Sequence, residues 1–213
     1  MQEVIVKLYT IKELSEEARN KVIEKERRHQ HEFGDRRYLL QESFEEKLED
    51  YGLPTENIMW SLSSCQGDGT AFTGWIDLEA YFKKNDLKEL FGALYDRSTY
   101  HIKHSGSYTH YNSMFVSHSV DEMDDVSLWY GCENCDDRFR CLANGKCDVC
   151  EGLIDLADEL RDHIEEHIKE VSKELEKLGY EIISYEDKEE TIIDNLEAND
   201  VMFFEDGRVF IEA

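Results

Sequence analysis

Cys132, Cys135, Cys147 and Cys150 are spaced C-x2-C-x11-C-x2-C. Thiolates at that spacing can supply the four ligands that a tetrahedral zinc ion takes. Each C-x2-C pair offers two sulfurs from one tight turn, and the residues between must fold back to join the pairs. Four thiolates leave no position for water, so the chemistry expected is a closed structural site for one zinc ion, not a catalytic one. Reduced buried thiols or a redox pair are the alternatives. Cys141 lies between the pairs and shares a strand face with Phe139. It reads as a small buried hydrophobe, or as a replacement for one of the four ligands. Cys65 stands far away in the chain and reads as core.

The segment Asp137 to Leu142 can form a strand, and Asn144-Gly145 is a strong hairpin turn. Helical periodicity begins just after Cys150, where the helix dipole would favour thiolates in the second pair. Knuckle, hairpin and helix entry together resemble a zinc ribbon or a treble clef. A second constellation, His163-Ile164-Glu165-Glu166-His167, matches the inverted zinc-peptidase pattern H-x-x-E-H. On a helix its histidines share a face. Only 46 residues follow His167, few in which to provide a third ligand and a cleft. A solvated flank beside Ile164 and Ile168 is the simpler reading. His101, His104, His110 and His118 fall on expected strands, and the odd step from His101 to His104 sends them to opposite faces. Gly67-Asp68-Gly69 lacks the Lys and Ser or Thr of a phosphate loop and reads as a turn.

These residues need elements to position them. Glu3 to Thr10 alternates like a half-buried strand. Ser15 can cap a helix that runs towards Phe33, and Asp35 a second one with the stripe Leu40, Phe44 and Leu48, ended by Gly52 and Pro54. Ile58–Cys65 and Ala71–Leu78 read as paired strands, Glu79–Tyr95 as a helix, and Thr99–Ser119 as strands around Ser105-Gly106-Ser107. The order β-α-α-β-β-α-β-β predicts an α+β fold with an antiparallel sheet packed against helices. A long helix should run from Leu153 to Leu178, burying Leu153, Leu156, Leu160, Ile164, Ile168, Val171, Leu175 and Leu178 on one face. Gly179 should end it. A strand over Tyr180–Ser184, a helix over Glu186–Ala198 and a hairpin around Asp206-Gly207 would follow. The expected domains are an α+β domain over 1–130, an inserted zinc module over 131–152, and a long helix with a helix-hairpin tail over 153–213 that packs back on the first.

Charge narrows the function. There are 49 acidic and 24 basic residues, a net charge of −25. The residues from Glu151 to Ala213 carry 21 acids and 6 bases, a net of −15. Direct nucleic-acid binding needs Lys and Arg for phosphate, and an anionic membrane needs them too, so both are disfavoured. A strongly basic protein partner is favoured. Solubility alone is the bland explanation. No signal peptide or membrane-spanning run is visible, which points to the cytoplasm, where clustered cysteines read as metal ligands before disulfides. No catalytic motif with a defined partner is present, and a monomer is expected.

The run Ser61 to Gly74, SLSSCQGDGTAFTG, resembles a signature of small acidic phage and prophage proteins of unknown function. Leu14 to Ala18 and Glu190 to Gly207 are similar to the same group. An acidic, phage-like, zinc-containing chain of this size also resembles the type II anti-CRISPR proteins. That resemblance implies Cas9 as the partner, the host cytoplasm as the location, and blocked DNA loading as the effect. Its contact residues would be the acids of the long helix: Asp155, Asp158, Glu159, Asp162, Glu165, Glu166 and Glu170. The alternatives are a phage regulatory or adaptor protein with another partner, and a zinc hydrolase built on His163 and His167.

Overall fold

A computed structural model describes residues 6–33, 36–120 and 148–211. The elements in order are α1 (Glu16–Phe33), α2 (Arg36–Tyr51), β1 (Asn57–Ser61), β2 (Gly69–Trp75), α3 (Leu78–Asn85), α4 (Lys88–Phe91), β3 (Ser98–His104), β4 (Met114–Val120), α5 (Asp148–Glu186) and α6 (Glu189–Ala198). The fold is α+β, with a four-stranded antiparallel sheet in the order β1-β2-β3-β4. Of the inserted zinc module expected over 131–152, residues 131–147 lie outside the described residues, and 148–152 belong to α5.

The chain divides into two compact units, Met1–Gln41 with Leu178–Ala213, and Glu42–Lys177. The second holds the sheet. Tyr100 and Ile102 of β3, Phe72 of β2 and Val116 of β4 alternate inward and are almost fully buried. Trp75 and His101 stand opposite one another on the other sheet face and stack at 4.4 Å. Helix α2 ends at Gly52, whose φ of +67° only glycine adopts readily. The Leu53 N–H then reaches back to the Leu48 carbonyl at 3.0 Å, closing the helix end.

The first unit has its own core. Ile11, Leu14, Ala18, Val22, Ile23, Ile192, Leu196 and Phe203 pack together there. Tyr9 and Phe203 exchange reciprocal backbone hydrogen bonds at 2.9 Å. The expected N-terminal strand reduces, from residue 6 onward, to this one bridge. The expected C-terminal hairpin is present as a turn at Asp206-Gly207 with a single bridge between Phe203 and Val209.

Three further elements differ from the sequence reading. The helix expected over Glu79–Tyr95 breaks at Asp86, which adopts φ 55° and lets the Leu87 N–H bond the Phe82 carbonyl at 3.0 Å. The tight turn expected at Ser105-Gly106-Ser107 is a longer connection over 105–113, closed by Ser105 N–H donating to the Ser113 carbonyl at 2.8 Å. Gly179 does not end the long helix. Helix α5 begins at Asp148, before Cys150, and continues through Tyr180–Ser184 to Glu186. It stops where the Arg27 guanidinium donates to the Asp187 carbonyl at 2.9 Å and Arg36 pairs with the Asp187 carboxylate.

Candidate functional site

Helix α5 carries both the acids and the histidines that the sequence singled out. Its 39 residues make it roughly 58 Å long. Ala157, Leu160, Ile164, Ile168, Val171 and Leu175 are at most 1% exposed. Steps of three and four put them on one stripe. Of the expected stripe, Leu156 and Leu178 are only half-buried, and Ala157 takes a core place.

Polar contacts fix this helix on the sheet. The Tyr100 hydroxyl donates to the Ala157 carbonyl at 3.0 Å. Thr70 and Ser172 exchange bonds: the Thr70 hydroxyl donates to the Ser172 carbonyl at 2.7 Å, and the Ser172 hydroxyl to the Thr70 carbonyl at 2.6 Å. Both residues are buried. Burial pushes the Tyr100 phenol up to about 12, so it remains a donor.

The seven acids proposed as contacts separate into two groups. Asp155, Glu159, Asp162, Glu166 and Glu170 are exposed. Their spacing of four, three, four and four places them on one line, opposite the buried stripe. From Asp155 to Glu170 the line runs over roughly 22 Å of helix. Asp158 and Glu165 lie on a flank and are half-buried. Asp158 pairs with Arg161 at 2.7 Å and approaches His118 at 3.6 Å. Glu165 accepts the Val116 N–H at 3.1 Å. These two acids are tied into the fold, and five remain outward.

His163 and His167 do share a face, with ring centres 6.4 Å apart. A cleft of about 320 Å³ opens beside them, lined by Asn85, His163, Glu166, His167 and Glu170. His167 Nδ1 lies 2.8 Å from the Tyr81 hydroxyl, and the Tyr51 ring meets its edge at 5.0 Å. Burial, then the charge of His163, holds the His167 imidazole below its ordinary pKa. Burial also raises the Tyr81 phenol. Asn85 gives both amide protons away, to the carbonyls of Tyr51 at 2.9 Å and Tyr81 at 2.8 Å. Tyr51, Tyr81 and Asn85 were not singled out from the sequence. They lie some 80 or more residues before His167, and no short-range pattern links them.

Cys132, Cys135, Cys141 and Cys147 lie outside the described residues. Cys150 is in the first turn of α5, and its side chain is outside the description. Cys65 is exposed, a correction to its reading as core. Its N–H donates to Asp68 at 2.8 Å, and its thiol donates to the Ser63 carbonyl at 3.6 Å. Among the described residues, no three His, Cys, Asp or Glu side chains are gathered to hold a metal, and no helix is long and apolar enough to cross a membrane. Comparison with known protein families, curated proteins and solved structures found no match.

Proposed function

We propose that this chain is a binding inhibitor that uses its acidic surface to occupy a basic face of a nucleic-acid-handling protein. Cas9 is the partner implied by the phage-like segments, with DNA loading as the step blocked. The outward line of Asp155, Glu159, Asp162, Glu166 and Glu170 carries the reading. Their carboxylates repeat along one element at roughly 6 Å per charge, a line of negative charge such as a nucleic-acid strand also presents. The net charge of −25 adds long-range attraction to a basic protein. In this proposal Cys132, Cys135, Cys147 and Cys150 hold one structural zinc ion, and the entry of α5 is braced by it.

The test is binding to Cas9 carrying its guide, at about 50 mM and about 300 mM salt. Tight complex formation that weakens at least tenfold with salt is expected. Joint substitution Glu159→Lys, Glu166→Lys and Glu170→Lys should weaken it by a further ~100-fold and restore DNA cleavage. Absence of a complex at the lower salt ends the Cas9 assignment. Metal analysis tests the zinc: one equivalent in the parent, and less than half of that in Cys147→Ser.

A further inference from the structure

We infer that His163 and His167 form a second metal clamp, separate from the cysteines, for a divalent transition-metal ion that prefers imidazole. The inference stands on the geometry of the cleft and does not rest on the partner proposed above.

Two histidines four apart on a helix can close on one ion from the same side. Bound through Nε2 at about 2.1 Å, each ring centre would sit roughly 3.2 Å from the metal. At a tetrahedral angle the two centres would then be roughly 5 Å apart. They stand at 6.4 Å, so the rings must close by roughly 1 Å. His163 is exposed and can make that movement by a side-chain rotation.

His167 is already prepared. Its Nδ1 is held by the Tyr81 hydroxyl at 2.8 Å, which leaves Nε2 for the ion. Ligating histidines usually have their second nitrogen fixed in this way, because the bond sets the tautomer and the ring plane. Nδ1–H donating to the Tyr81 oxygen places the lone pair on Nε2. This imidazole is half-buried. The Tyr51 ring packs edge-on against it and limits its rotation.

The lining of the cleft favours a hydrated cation over an organic ligand. Asn85, Glu166 and Glu170 complete it, and the lining includes no aliphatic or aromatic hydrocarbon side chain. Both Asn85 amide protons are spent on backbone carbonyls, so only its oxygen remains to face a ligand. Glu166 and Glu170 line the cleft and add negative charge that favours a cation there. The clamp therefore supplies two nitrogens, with water filling the remaining positions. Imidazole with oxygen ligands suits Ni²⁺, Cu²⁺ and Zn²⁺.

The experiment uses the full chain carrying Cys147→Ser, stripped with chelator and titrated with Ni²⁺ by calorimetry. One equivalent is expected, with both imidazoles broadened by the paramagnetic ion in proton NMR. His163→Ala, at an exposed position, should fold as its parent does and lose at least about tenfold in Ni²⁺ affinity. No bound equivalent, a loss below tenfold, or broadening confined to other residues overturns the clamp.

Discussion

Asp68 is 8% exposed, yet its carboxylate accepts from four donors. The Ser63 and Cys65 N–H groups donate at 2.6 and 2.8 Å, and the Ser61 and Ser63 hydroxyls at 2.9 and 3.1 Å. One side chain thus satisfies the backbone of the β1–β2 connection. Asp68→Ala would remove the charged acceptor shared by two N–H groups and two hydroxyls of that connection. We predict a loss of about 3 kcal/mol of stability, read from urea denaturation. His167 gives a second test. Its folded pKa is lowered, so the unfolded chain binds its proton first, and stability must fall with pH. The window opens near the ordinary value of 6.5 and extends down to the lowered one. Tyr81, Tyr51, His163, Glu170 and Glu174 surround it, and the two glutamates oppose the shift without cancelling it. The thermal midpoint of the parent should drop between about pH 7 and pH 5.5, and His167→Gln should flatten that drop. An equal drop in both proteins would remove His167 as the cause. Sequence reading found the histidine pair because spacing alone puts it on one face. It could not find Tyr81, because that contact exists only once α3 is placed beside α5.

At the scale of elements, Gly52 is a point where α2 and α3 come close. A Cβ there would lie 2.9 Å from the Ala80 carbonyl carbon and the Tyr81 Cα, both backbone atoms, at a φ of +67°. Gly52→Ala therefore meets a conformational penalty and a clash that no side-chain rotation relieves. A loss of about 2 kcal/mol or more is expected in thermal or urea unfolding. This stop was legible, because glycine followed by proline after a period-four stripe marks a helix end. The end of α5 was not. Gly179 looks like the same signal, and Tyr180, Ile182 and Ile183 favour strands by type. The helix runs on because its true cap comes from elsewhere in the chain. Arg27 bonds the Asp187 carbonyl, and Arg36 its carboxylate. Both are about 150 residues distant or more, beyond any local rule. The α+β class and the core stripe of α5 were legible because periodicity is local. The break at Asp86 was missed because a non-glycine residue takes the left-handed position.

For the whole molecule, the charge has two consequences of opposite sign. A chain at −25 repels itself when compact, and the five outward acids of α5 concentrate that repulsion along one helix. Glu159, Glu166 and Glu170 follow one another at steps of seven and four residues on a single face, where like charges destabilise a helix. Surface ion pairs such as Lys21–Glu17 and Arg208–Asp206 are exposed and return little. Screening should therefore help the isolated fold. Raising salt from about 20 mM to about 300 mM shortens the Debye length from roughly 20 Å to under 6 Å, so repulsion between neighbouring turns is damped. The thermal midpoint is expected to rise by several degrees. Affinity for a basic partner should move the other way, because the same screening weakens the attraction that draws the two together. Replacing Glu159, Glu166 and Glu170 with Gln should reduce both effects at once, raising the low-salt midpoint while flattening the salt dependence of binding. A low-salt midpoint unchanged by those replacements would mean that the stripe is solvated too well to repel itself. A salt response of binding that survives them would place the contact on another acidic face.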